Sequence, residues 1–444
     1  MISMNKHKFK ETEIGMIPED WKIKRLGDVS RFQYGLGESA EEAGEYVYIR
    51  ITDINSDGFL DNNNLKYINK NKVTEDYILN NGDVLVARTG ATYGKTYFFR
   101  EDFKATYGGF LIRFLFDKRL IDNSFFFQFS RSNLYWNQAN NLVTGGAQPQ
   151  FNAKVISEIL VPLPSIEEQS AIAKILSDLD SKIELNQQMN KTLEKIGQAI
   201  FKRWFIDFEF PDEKGRPYKS SGGEMVNSEL GKIPKGWEVK SLSEVADFIR
   251  GFSYNGTEKS KIAGELVFVT LNSIYEGGGF KREFSYLSSN RLKEHHFVRE
   301  GDIVIANTEQ TKTGTLLGFP GLVEFPYGYT KEKGCFSHHI TKVSPDSENM
   351  KYFFYYHLFI NQEAAVKYHT GSVIWALDVN GWSKNEKIAV PNDYLLNVFS
   401  IFAKALFEKR LSNAKESFNL SSIRDSLLPR LMSGRIRVNA EAAR

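Results

Sequence analysis

Gly90-Ala-Thr-Tyr-Gly94-Lys95-Thr96 is the first stretch whose residue types and spacing suggest chemistry. It resembles a phosphate-binding P-loop, but three residues separate its glycines where that loop needs four. A P-loop must also open a helix whose first amides hold the phosphates, whereas Tyr97-Phe-Phe99 reads as strand. A glycine-rich hairpin presenting Arg88, Thr89, Thr92, Tyr93 and Lys95 to phosphates or base edges fits these residues better. An ordinary exposed hairpin stays open as the plainer alternative. Histidines cluster late, at His295-His296 and His338-His339, with Cys335 just upstream of the second pair. Zinc needs four placed ligands, or three and a water. Neighbours on a strand face opposite ways, so Cys335, His338 and His339 do not share one metal, and no metal site is expected. Gly-x-Ser-x-Gly, His-Glu-x-x-His and dinucleotide fingerprints are missing, so no catalytic residue is named. A recognition protein fits better than an enzyme.

Two loops carry groups able to meet bases. Thr144-Gly-Gly-Ala-Gln148-Pro-Gln150-Phe-Asn152 offers amides, which suit bidentate contact with adenine. Thr370-Gly-Ser-Val-Ile-Trp375-Ala-Leu-Asp378 occupies the same frame with different chemistry. Asn307, Thr308, Gln310, Thr311 and Lys312, with His338, are the later counterparts of the Arg88 turn. Such residues are also common in loops that touch nothing.

The frame is shared because the chain is written twice. Glu13-Ile-Gly-Met-Ile-Pro-Glu-Asp-Trp21 returns as Glu229-Leu-Gly-Lys-Ile-Pro-Lys-Gly-Trp237, and Gly82-Asp-Val-Leu-Val-Ala-Arg88-Thr returns as Gly301-Asp-Ile-Val-Ile-Ala-Asn307-Thr. Val84–Ala87 and Ile303–Ala306 follow Gly-Asp turns as buried strands. Each unit is an α+β domain, expected at 1–164 and 229–391, and a proline- and glycine-rich linker fills 211–228.

A long helix should follow each domain. The first spans 165–210, with Ser165 and Glu168 as a capping box and one internal glycine, Gly197. Its apolar residues Ile172, Leu176, Leu179, Ile183, Leu193, Ile200 and Trp204 recur at a coiled-coil period. About forty residues at 1.5 Å each would reach roughly 60 Å. The second helix lies within 392–444, with its seam at Phe399, Phe402, Leu406, Leu420, Ile423 and Leu427. Asn186 and Asn190 interrupt the first seam and would face polar positions such as Asn413 and Glu416, fixing register.

With 444 residues the chain has room for several domains, and its net charge of +2 confines any nucleic-acid contact to local basic faces, around Arg88, Lys95, Arg100 and Arg113. One cysteine fits a reducing compartment, and no signal peptide or long apolar run is present, so a soluble cytoplasmic protein is expected.

The paired Ile/Leu-Gly-x-Ile-Pro-x-x-Trp starts, Ile183-Glu-Leu-Asn-Gln-Gln-Met-Asn-Lys-Thr-Leu193, Lys202-Arg-Trp-Phe-Ile-Asp-Phe208 and Leu427-Leu-Pro-Arg-Leu-Met-Ser-Gly434 resemble the specificity subunits of type I restriction-modification systems. The resemblance spans nearly the whole chain. It implies two target recognition domains, separated by two long helices packed as an antiparallel coiled coil, each reading half of a bipartite double-stranded DNA site. It also implies two methyltransferase subunits docked on the helices, joined by restriction-translocase subunits. S-adenosylmethionine, ATP and magnesium would belong to those partners. A nuclease or methyltransferase with its own recognition domain would need a motif such as Asn/Asp-Pro-Pro-Tyr/Phe, which is missing. A two-headed coiled-coil protein unrelated to DNA is the remaining alternative.

Overall fold

The computed structural model describes residues 2–3, 8–54, 58, 60, 64–143, 150–260, 265–309 and 311–438. Two compact units make up the chain, Met1–Asn186 with Glu416–Arg444, and Gln187–Lys415. These boundaries differ from the expected linear division: each unit takes one globular domain and part of both long helices. The cause is packing, since each domain buries its aromatic core against the helical stretches beside it.

In the first unit a four-stranded antiparallel sheet runs Ser30–Tyr34, Leu111–Phe116, Val84–Ala87, Thr96–Phe98. A smaller sheet pairs Tyr46–Ile49 in parallel with Ala105–Tyr107 and antiparallel with Tyr67–Ile68. The second unit repeats this order as Ala246–Arg250, Ile340–Pro345, Ile303–Ala306, Pro320–Leu322. Its parallel pair is Leu266–Val269 with Gly334–Phe336. The α+β class and the duplication are both evident. Val84–Ala87 and Ile303–Ala306 are buried throughout, which is why their sequences carry no polar alternation.

The long helices are Ile166–Phe201, continued by a π turn at Lys202–Ile206, and Asp393–Met432. They pack together in antiparallel sense. In the first unit Asp180 pairs with Arg424, and in the second Glu194 pairs with Arg410. Ser165 Oγ accepts from Glu168 N, but the Glu168 carboxylate does not complete the capping box. It is buried, accepting instead from Trp21 Nε1 and from Arg437, whose guanidinium also grips Asp20. Gly434 lies against the same corner, where a Cβ would sit 2.3 Å from Pro18 Cγ. The Ile-Pro-x-x-Trp start and the Leu-Met-Ser-Gly end are thus two halves of one contact. In the second unit Trp237 meets Phe205 within the π turn and Phe208 and Phe210 beyond it. Phe210 stacks on Tyr218 and Asp212 caps the turn at Lys214 and Arg216, so part of the 211–228 segment is packed, not free linker. Gly197 is glycine because a Cβ there would lie 2.0 Å from Tyr356 Oη.

Ile172, Leu176 and Ile183 are buried, and Leu179, Leu193, Ile200 and Trp204 are half-buried. Along the second helix Phe399, Ala403 and Phe407 are buried, while Phe402, Leu406, Leu420 and Leu427 are half-buried. Ile423 is 49% exposed and does not belong to the seam. In the first unit Asn186, 1% exposed, donates to Glu416 Oε2 at 2.9 Å. In the second, Asn190 donates to Arg410 O and accepts from Asn413 Nδ2 at 2.9 Å.

Asp180 is buried and accepts from Gln128, Arg131 and Arg424, joining the globular fold to both helices. Burial opposes its ionisation, but the two guanidiniums and the amide outweigh this and hold its pKa below the usual carboxylate range. Asp180→Ala leaves both guanidiniums without their shared partner and should cost about 3 kcal/mol in chemical denaturation. Asn186→Leu with Asn190→Leu should admit misregistered or higher-order species in light scattering, whereas a monodisperse complex would refute register control by these residues.

Candidate nucleic-acid interface

The turn after Val84–Ala87 is a hairpin, not a P-loop. Gly94 N donates to Ala87 O and Ala87 N donates to Lys95 O, after which Thr96–Phe98 continues as strand. In the second unit Gly318 N donates to Ala306 O in the same way. The neighbouring segments also match: Phe151 N donates to Arg88 O at 2.8 Å, and Leu377 N donates to Asn307 O at 2.9 Å. Asn152 and Asp378, each one residue further on, are helix N-caps accepting from Val155 N and Gly381 N. Backbone hydrogen bonds thus build one frame twice.

Each frame encloses an open concavity, about 360 Å³ in the first unit and about 370 Å³ in the second. Tyr34, Arg88, Thr89, Gln150 and Asn152 line the first. The Arg88 guanidinium lies 5.2 Å from the Tyr34 ring centroid, and Tyr34 Oη accepts from Ala153 N. The cation is thereby held over an aromatic face with edge donors still available. Phe110, 60% exposed, sits beside it through an Arg88 N to Phe110 O hydrogen bond.

The second concavity is lined by Arg250, Asn307, Thr308, His338, His339 and Asp378, among others. Asn307 donates to His338 O and Thr341 Oγ1, fixing its amide, while Thr308 Oγ1 and His339 Nδ1 are 3.0 Å apart. Burial, His338 and Arg250 each disfavour the His339 cation and lower its pKa. Asn307 Oδ1 and His338 Nδ1 are buried without a hydrogen-bond partner among the described residues. Buried polar atoms are nearly always paired, so these two stand out among the residues behind the concavity.

Other nominated residues have internal duties. Tyr93 packs against Trp136 and Phe151 and donates to Asn140. Thr92 and Lys95 are half-buried in the hairpin turn. Thr311 donates to Glu309, Lys312 is exposed, and Trp375 stacks on His369 at 4.2 Å. Gln148 and Gln310 lie outside the described residues. Two members of the expected basic face are corrected. Arg113 is buried against Asp83 and the Asp76 and Ile78 carbonyls, and Arg100 pairs with Glu184 on the first long helix. A lone sequence position does not reveal whether a guanidinium already has a partner. Cys335 is packed with Phe252, Phe268 and Leu287, and burial pushes its thiol up to about 12.

Tyr34 and Arg250 were not singled out from sequence, yet they occupy equivalent strand ends. Each precedes a glycine, Gly35 or Gly251, where a Cβ would come within 2.3 Å of Gly108 O or 2.2 Å of Ser337 O. Phe32-Gln-Tyr-Gly35 against Phe248-Ile-Arg-Gly251 was the available signal.

The family model for the type I restriction modification DNA specificity domain matches residues 18–195 and 234–393. The type I restriction enzyme MjaIX specificity subunit of Methanocaldococcus jannaschii is 28% identical, over 97% of this chain and 96% of its own length. The HindI specificity subunit of Haemophilus influenzae is 26% identical, over 66% of this chain and 72% of its own. The crystal structure of the type I S subunit from M. genitalium aligns over 93% of this chain and 96% of that one, with a TM-score of 0.55 and 16% identity, a likeness of fold. Two matched domains, two long helices and full-length relatives lead to one conclusion: the chain belongs to the type I restriction-modification DNA specificity family and is a non-catalytic specificity subunit.

Proposed function

We propose that each unit reads one half of an asymmetric, bipartite double-stranded DNA site, and that the chain directs adenine methylation and restriction to that site. The matched concavities with unmatched contents carry this reading. A shared frame gives both units the same mode of approach, and different side chains give them different bases. Arg88 supplies the forked donors suited to guanine, and Gln150 supplies an amide suited to adenine. Arg250, Asn307 and the histidines supply another combination.

Two methyltransferase subunits dock on the paired helices and restriction-translocase subunits join them. Exposed Tyr394, Ile401 and Ile423 offer these partners apolar contact. S-adenosylmethionine, ATP and magnesium belong to the partners, and the assembly works in the cytoplasm. No helix among the described residues is long and apolar enough to cross a membrane. The target adenine must leave the stack to be methylated, so the grip has to tolerate distorted DNA. The helices set the distance between the half-sites, since neither is interrupted by a loop.

Co-expression with the cognate methyltransferase, followed by mapping of methyladenine, should give one bipartite, non-palindromic motif. A continuous motif, or methylation that survives deletion of this chain, would overturn the reading. Exchange of residues 13–162 for those of another family member should change one half only. Insertion of about four residues, one helical turn, within 175–200 should change the spacer and leave both halves intact. Arg88→Ala should relax one position in one half, at about 1–3 kcal/mol in duplex binding.

A further inference from the structure

The turn that follows Ile303–Ala306 is longer than its counterpart after Val84–Ala87, and it is built around a carboxylate. Glu309 pairs with Trp375 in a short antiparallel ladder, and its side chain turns back beneath the residues that follow. It is 1% exposed. Its Oε1 accepts from Thr311 Oγ1 at 2.6 Å, from Thr313 N and Oγ1 at 3.0 Å, from Gly314 N at 2.8 Å and from Thr315 N at 3.3 Å. Its Oε2 accepts from Leu316 N at 3.0 Å and Leu317 N at 2.8 Å. From the other side, buried Gln362 donates to Gly314 O and Leu317 O. The loop backbone is therefore satisfied from within by one acceptor and one donor side chain.

Converging backbone amides of this kind form a nest, the usual seat of a phosphate. Here the chain's own carboxylate fills it, so a DNA phosphate cannot. The loop instead turns Lys312 and Thr315 outward. Lys312 has φ +58°, a conformation uncommon for a residue with a Cβ, held by structure on both sides. The position in the first unit that matches Glu309 by sequence is Gly90, so this device belongs to the second unit alone.

We propose that Glu309 is a positioning residue: an internal anion that holds residues 311–317 in a DNA-reading shape before DNA arrives, with Lys312 placed against the duplex. This rests on the two-half reading above and adds which unit reads with a preformed loop. A loop ordered in advance loses less entropy on binding, so its contacts go further toward discriminating bases. Burial opposes ionisation of Glu309, but bonds from Thr311, the Leu317 and Leu316 amides and Thr313 outweigh it and bring its pKa to about 2. A depressed folded-state pKa means that the stabilisation is present above the ordinary carboxylate range, about 4.3. It is lost as pH falls from there through about 2.

The test uses the full chain in its methyltransferase complex. Glu309→Gln keeps the shape but turns an amide donor toward the loop's own donors. The expected result is a motif whose Arg88-unit half is unchanged and whose other half is degenerate, with about tenfold weaker binding of the specific duplex. Binding of a random duplex should weaken by no more than the loss of the Lys312 phosphate contact, and amides 313–317 should lose hydrogen-exchange protection. Lys312→Gly, which suits a positive φ, should fold and reduce the salt dependence of binding by about one phosphate contact. An unchanged motif and affinity in folded Glu309→Gln, equal damage to both halves, or an unchanged salt slope in Lys312→Gly would each overturn the proposal. Should Glu309→Gln not fold, the Lys312→Gly slope decides. A wild-type complex without a bipartite motif would overturn the earlier reading and this one together.

Discussion

The pairing of two long helices through a partly polar seam is the constraint on which the other features rest. An all-leucine seam would be stickier but could slide, because leucine contacts change little when one helix shifts by a turn. A buried amide behaves differently. Asn190 meets Asn413 and the Arg410 carbonyl, and Asn186 meets Glu416; any slip leaves these groups desolvated and unpaired. That penalty is about 1–3 kcal/mol for each orphaned group, enough to decide between registers that differ little in apolar contact.

The same division between fixed frame and free contents governs each globular unit. Backbone hydrogen bonds at Ala87, Arg88, Ala306 and Asn307 place the turns and the incoming helix segments identically in both copies. Since main-chain groups place the turns, the side chains at the mouth can differ between the copies, even where they also make local bonds, as Asn307 does to His338 O and Thr341 Oγ1. Arg88 in one copy corresponds to Asn307 in the other, and Tyr34 to Arg250, each lining its own unit's concavity. Where a copy needs a longer loop, an added interior carboxylate supplies the missing acceptor, as Glu309 does.

Sequence alone makes the duplication, the α+β class and the long helices legible, because each depends on local period or on repetition. Strand runs such as Val84–Ala87 and the rejected P-loop are likewise local matters: turn spacing decides them. Residues whose role depends on a distant partner were not legible. Arg113 looks like any exposed arginine until Asp83 and two carbonyls are found around it, and Glu168 looks like a capping carboxylate until Arg437 takes it. Ile423 fails in the same way: apolar spacing places it on the seam, but the neighbours that would cover it lie elsewhere in the chain, and it is left 49% exposed. Tyr34 and Arg250 were hidden because they look ordinary separately, and only their matching places at the ends of equivalent strands, each lining a concavity, reveal them.

A net charge of +2 over 444 residues has a consequence for how such a subunit must find its site. Non-specific affinity for duplex DNA comes mainly from counterions released by lysine and arginine, and this chain has consigned several of those cations to internal pairs with Asp180, Asp83, Glu194 and Glu184. What lines the concavities is a small set of oriented groups, Arg88 and Gln150 in one unit and Arg250, Asn307 and the histidines in the other. On the proposed reading, such groups gain little from DNA of the wrong sequence, so selectivity is not diluted by the phosphate backbone.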